Sequence, residues 1–130
     1  MPLEKIMHVE DDESIRTVAE IALTDVAGFE LLSCDSGQSA LAQAADFAPQ
    51  LILLDVMMPQ MDGLQTLAAL RQLPATKHTP VVFMTAKIQQ SEKQQYLDAG
   101  AIAVIDKPFD PMQLGETLHQ LYNQQSGLTD

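Results

Sequence analysis

The sequence predicts an α/β fold, a parallel sheet carrying helices on both faces. Short apolar runs alternate about five times with longer segments of helical period, and such alternation calls for parallel crossovers. Leu51–Leu54 and Val81–Met84 are apolar without a polar alternate, as strands covered on both sides must be. The length of 130 residues and the 46% apolar fraction suit one domain that buries about two-thirds of its unfolded surface.

Taken in order, Lys5–Val9 reads as a strand that ends at three acids, Glu10, Asp11 and Asp12. Ile15, Val18, Ala19, Ala22, Leu23 and Val26 then recur at threes and fours, the mark of one buried helix face, and Gly28 suits the stop of that helix. Phe29–Cys34 is a weaker strand, followed by an alanine-rich helix over Ser36–Ala45 with Ser36 as its cap. Leu51–Leu54 ends at Asp55. Past Pro59 and Gly63, the residues Leu64, Leu67, Ala68 and Leu70 mark a third helix. Pro80–Met84 is a strand ending at Thr85, and Ser91–Ala99 a polar helix stopped by Gly100. Ala103–Ile105 is a last strand, ending at Asp106, Lys107 and Pro108. Pro111 is placed to open a final helix that buries Leu114, Leu118, Leu121 and Tyr122.

Composition narrows the function. Eighteen acids against seven Lys and Arg give a net charge of −11, which repels phosphate backbones and anionic membrane surfaces. Neither nucleic acid nor membrane is therefore an expected partner. Cys34 is the single cysteine, so no internal disulfide and no multi-cysteine metal site can form. The N-terminus lacks the pattern of a signal peptide and no stretch reaches membrane-spanning length, so a cytoplasmic, reducing compartment is expected.

In parallel sheets, ligands sit beyond the carboxyl ends of the strands. Here those ends carry Glu10, Asp11 and Asp12, then Asp55, Thr85 and Lys107. Each has an ordinary role when taken alone: Asp11 or Asp12 as a helix cap, Asp55 as a turn residue, Thr85 as a strand residue, Lys107 as a solvated charge. Together they mean more. Two carboxylates ~6 Å apart at an effective dielectric of ~20 repel by about 3 kcal/mol, which calls for a counter-ion. Carboxylate oxygens without histidine suit Mg2+, which takes one or two carboxylates together with phosphate oxygens. A divalent ion, an aspartate, a lysine and a hydroxyl are the equipment for moving a phosphoryl group onto a carboxylate.

Four segments carry a family resemblance: Val9–Arg16 with its acids, Leu53–Gly63, Val82–Ala86 and Lys107–Phe109. In order and at matching strand ends, they resemble the receiver domain of two-component response regulators over nearly the whole chain. The resemblance implies a flavodoxin-like, doubly wound (βα)5 fold with strand order 2-1-3-4-5. It implies Asp55 as phospho-acceptor and Mg2+ held by Asp11, Asp55 and the backbone carbonyl of Met57, with Glu10 acting mainly through water. Asp12 is then the helix cap. Thr85 would bond a phosphoryl oxygen, Lys107 would pair with it, and Ala86 would leave the pocket open. Lys107–Pro108 is implied to be cis. Met57 and Lys87 would border the approach of hydrolytic water.

One position departs from the family. The aromatic residue expected three before the lysine is Val104, which cannot swing a polar-tipped ring; signal would pass through Thr85 and the loop after it. A haloacid dehalogenase-type phosphatase would also use a strand-end aspartate, but wants a second one where Met57 stands. An interaction module without phosphorylation leaves Glu10, Asp11, Asp55, Thr85 and Lys107 unexplained. The expectation is a signalling receiver over residues 1–123 with a short tail at 124–130 and no effector domain. Its partners would be a histidine kinase or phosphotransfer protein, and a target protein bound near the fourth and fifth helices. Its only catalysis would be transfer to, and hydrolysis from, its own Asp55.

Overall fold

The computed structural model describes residues 2–86 and 90–127. Strand β1 (Lys5–Val9) is followed by α1 (Glu13–Ile21), which runs on into a π-helical turn over Ala22–Val26. Then come β2 (Glu30–Cys34), α2 (Gly37–Phe47), β3 (Leu51–Asp55) and α3 (Gly63–Leu70). A 3-10 turn (Pro74–Thr76) leads to β4 (Val81–Ala86), α4 (Gln90–Asp98), β5 (Ala103–Lys107) and α5 (Leu114–Gly127). The five strands are ordered β2-β1-β3-β4-β5, and every pairing is parallel. This is the doubly wound (βα)5 arrangement expected. Among the described residues, no helix is long and apolar enough to cross a membrane.

The two faces of the sheet bury separate cores. Met7, Val9, Ile52, Leu54, Val81 and Phe83 pack with Ala40, Ala44, Leu67, Leu70 and Tyr96, on the side of α2, α3 and α4. Ile6, Leu51, Leu53, Val82 and Met84 pack with Ala19, Ala22, Leu23, Leu114 and Leu118, under α1 and α5. Because β3 and β4 lie inside the sheet, both of their faces are covered, which explains their unbroken apolar runs. Asp12 and Ser36 cap their helices, accepting from the Ile15 and Ser39 amides at 3.0 Å. Gly28 ends the first helical stretch at φ +82°, a conformation that favours glycine.

Three expectations are corrected. Val18 and Val26 are exposed, at 42% and 46%, where a buried face was expected. Ala19 is the contact centre of α1, and Val18 lies one residue, about 100°, around the helix from it. The π turn then changes the helical phase and carries Val26 off the sheet. Ala68 is exposed, and the buried face of α3 is instead completed by Thr66, whose hydroxyl donates to the Asp62 carbonyl at 2.8 Å. Pro111 does not open α5. A separate turn precedes the helix, with the Gln113 and Leu114 amides both donating to the Asp110 carbonyl at 3.0 Å. At its other end α5 runs to Gly127.

Candidate functional site

The carboxyl ends of β1, β3 and β5 bring four of the sequence-predicted residues together. Glu10 follows β1 and is 1% exposed; Asp55 ends β3 and is 2% exposed. Lys107 ends β5, two strands from β3, and its ammonium reaches across β4. Nζ lies 2.8 Å from Asp55 Oδ1 and 3.0 Å from Glu10 Oε1. Asp11 is exposed, and one oxygen from each of Glu10, Asp11 and Asp55 falls within 4.8 Å of the others. Thr85 is buried at the same edge, one residue past Met84, the residue in register with Asp55. Met57 stands in the loop after β3 with its side chain 72% exposed. Lys87 lies outside the described residues.

Local structure fixes each element of the site. The Glu10 amide donates to the Cys34 carbonyl at 3.0 Å, extending the β1–β2 ladder into the acidic turn. The Val56 amide donates to the Met84 carbonyl at 3.1 Å, which does the same for β3 and β4. The loop beyond Asp55 is closed by Gly63, whose amide donates to the Val56 carbonyl at 2.8 Å. Asp62 caps α3 in a reciprocal box with Gln65, at 2.8 and 3.0 Å. The Lys107–Pro108 bond is cis, as the resemblance implied. Val104 is half-buried against the core that holds Tyr96, and it pairs with Phe83 on β4.

Burial drives the electrostatics. The Glu10 carboxyl is pushed up from 4.5 to about 7, first by burial and then by the charge of Asp55, against the opposing pull of Lys107. Burial also raises Asp55, with Asp11 adding and Lys107 opposing. For Lys107, burial acts to lower the value, but its bonds to Asp55 and Glu10 prevail and hold the ammonium charged. These directions are compatible, because one ammonium cannot neutralise two buried carboxylates. Glu10 Oε1 and Asp55 Oδ1 have no hydrogen-bond partner among the described residues, apart from the ion pairs to Lys107. Three convergent carboxylates, two of them short of donors, form a hard-oxygen set suited to a divalent cation.

Two features of the site escaped the sequence reading. Arg16, one helical turn past Asp12, donates through Nη1 to the carbonyls of Glu10 at 2.9 Å and Asp11 at 3.3 Å. The Asp62…Gln65 spacing was a readable capping signal for the loop after Asp55. His8 is buried inside β1, as expected, and neither ring nitrogen has a hydrogen-bond partner among the described residues.

The family model described as response regulator receiver domain matches residues 6–119. Protein PilG of Pseudomonas aeruginosa is 36% identical over 110 residues, covering 85% of this chain and 81% of PilG. The phosphate regulon transcriptional regulatory protein PhoB of the same organism is 38% identical over 109 residues, 84% of this chain. That match covers 47% of PhoB, so this chain spans about half the length of such relatives. In three dimensions, the Vibrio cholerae chemotaxis protein CheY4 superposes with a TM-score of 0.84 at 34% identity, covering 92% of this chain and 98% of that one. The chain belongs to the response regulator receiver domains, the signalling modules of two-component systems.

Proposed function

We propose that this receiver takes a phosphoryl group onto Asp55 from a phosphohistidine of a histidine kinase or phosphotransfer protein. The observation that carries the reading is the Lys107 ammonium, which spans from β5 to both Asp55 and Glu10 while Asp11 completes a convergent acid trio. Glu10, Asp11, Asp55 and the Met57 backbone carbonyl would hold Mg2+. When bound, Mg2+ supplies the positive charge that lets three acids and a phosphoryl group share one site. An Asp55 carboxylate oxygen attacks phosphorus in line, the phosphorus–nitrogen bond breaks, and the histidine leaves with its electron pair. Lys107 would trade part of its ion pair with Asp55 for the incoming phosphoryl oxygens. Thr85, buried at the same sheet edge, would donate through its hydroxyl to one of them.

The output is contact with a target protein over the surface of α4 and α5, in the cytoplasm. A net charge of −11 argues against direct contact with nucleic acid or membrane. With Val104 offering no ring to swing, movement of Thr85 carries the signal; residues 87–89 beyond it lie outside the described residues. Catalysis is confined to transfer to, and hydrolysis from, Asp55. The test is intact-mass spectrometry after acetyl phosphate with Mg2+. The expected result is one phosphoryl adduct on the wild type and on Asp12→Asn, and none on Asp55→Asn. An adduct on Asp55→Asn would overturn the assignment.

A further inference from the structure

The turn between β1 and α1 sets three acids in a row, Glu10, Asp11 and Asp12, next to the carboxylate of Asp55. Mutual repulsion would spread such a turn unless bonds fixed its backbone. Two of those bonds are made by the acids themselves. Glu10 Oε2 accepts from the Asp12 amide at 3.1 Å, and Asp12 Oδ1 accepts from the Ile15 amide at 3.0 Å. The third comes from outside the turn. Arg16 stands on α1, held by its own amide bond to the Asp12 carbonyl at 2.9 Å. Its guanidinium bonds the backbone carbonyls of Glu10 and Asp11, and among the described residues it makes no ion pair to these acids. The choice of acceptor matters, because a guanidinium clamped on the carboxylates would compete with any cation the site takes. Clamped on the carbonyls, it aims the side chains and leaves their oxygens available.

We propose that Arg16 is a positioning residue: by holding the Glu10 and Asp11 carbonyls, it makes their carboxylates converge on Asp55 as a divalent-cation site. The inference rests on the Mg2+-dependent reading above. It also separates from a simple charge effect by sign. A positive charge near a cation site repels the cation, so on charge alone the loss of Arg16 tightens binding. If Arg16 positions the ligands, its loss weakens binding, by roughly 10-fold on the scale of outer partners of metal ligands.

Mn2+ is the probe, with unbound ion counted by electron paramagnetic resonance and folding of each variant checked by circular dichroism. Wild type is compared with Arg16→Ala, Arg16→Gln, Arg16→Lys and Arg71→Ala. Arg71 clamps a different backbone, the Thr76 and Thr79 carbonyls at 2.9 and 2.7 Å, and serves as a control for general destabilisation. Arg16→Ala is expected to bind Mn2+ about 10-fold more weakly. Arg16→Gln and Arg16→Lys, which each keep a donor for one carbonyl, should recover part of that loss, and Arg71→Ala should match the wild type. Equal or tighter binding by Arg16→Ala overturns the inference, as does an equal loss in Arg71→Ala. Should Arg16→Ala not fold, the two conservative variants decide: affinity at or above wild type in both overturns it. A wild type that binds no Mn2+ overturns the functional reading, and the inference with it.

Discussion

A Cβ added to Gly63 would stand 2.5 Å from the backbone oxygen of Asp55 and 2.8 Å from Val56 Cα. Both neighbours are backbone, so neither can swing aside. The first turn of α3 therefore lies directly on the peptide that carries the central aspartate, and the Gly63 amide bond to Val56 locks the two together. Gly63→Ala must push the loop after β3 away from the sheet. The expected cost is about 1–3 kcal/mol in urea melts, the range for overpacking at a tight contact. A loss confined to helix propensity would have the opposite sign, since alanine is the better helix former.

Lys107 and Asp55 make opposite contributions to the metal-free protein. Lys107→Met leaves two buried carboxylates without their cation, and is expected to lower stability in chelator by about 3 kcal/mol. Asp55→Asn removes one of those carboxylates and leaves Glu10 and Lys107 as a balanced pair. It is expected to be more stable than wild type in chelator. Added Mg2+ should narrow or reverse that difference, because the ion stabilises the protein that binds it. Urea midpoints for the three proteins, with and without Mg2+, give the order. A wild type more stable than Asp55→Asn in chelator would show that the acids do not strain one another.

The contrast between these residues shows what the sequence made legible. Asp55 and Lys107 could be found because each closes an apolar run, and a parallel sheet must gather such ends at one edge. Arg16 could not, because it bonds carbonyls, and every residue has one. Gly63 could be seen as a turn residue, but not its approach to Asp55, which depends on how α3 returns over β3. Val18 and Val26 misled for a related reason: periodicity locates an apolar stripe, but only the packed sheet decides how much of it is covered.

Glu10 gives the protein a pH dependence with an unusual sign. Its folded value of about 7 lies above the ordinary 4.5, so the native state keeps a proton that the unfolded chain has already released. For an acid raised in this way, stability falls as pH rises from about 4.5 to about 7, and levels off above that. Asp55 is raised too and acts in the same sense. The loss from Glu10 amounts to up to about 3 kcal/mol. Glu10→Gln should remove most of it, seen in chelator as a flatter plot of urea midpoint against pH above about 6.5. The proposed Mg2+ site needs the deprotonated carboxylates, so the stabilising effect of added Mg2+ should grow over the same interval.

His8 works against Glu10, and only variants reveal either one. It is fully buried in β1, in register with Leu53 and Ser33, and its two ring nitrogens lack hydrogen-bond partners among the described residues. Burial, helped by the charges of Lys107 and Arg16, lowers it from 6.5 to about 3, so the folded protein holds a neutral imidazole. For a base lowered in this way, the unfolded chain takes up the proton first, and stability is lost as pH falls from about 6.5 to about 3. Over roughly pH 4.5 to 6.5 this opposes the gain from Glu10 and Asp55, so the wild-type curve should be flatter than that of either variant. His8→Leu removes the opposing group, and its stability should climb steadily as pH is lowered from 7 to about 4.5. At pH 7.5 the same variant should match or exceed the wild type, because an isobutyl group leaves no buried donor or acceptor unpaired, a deficit of about 1–3 kcal/mol. Urea midpoints of wild type, Glu10→Gln and His8→Leu across this range, all in chelator, provide the measurement. Parallel curves for wild type and His8→Leu would mean that His8 takes up its proton without leaving the folded state, and that the sheet beneath the acidic site admits a charge.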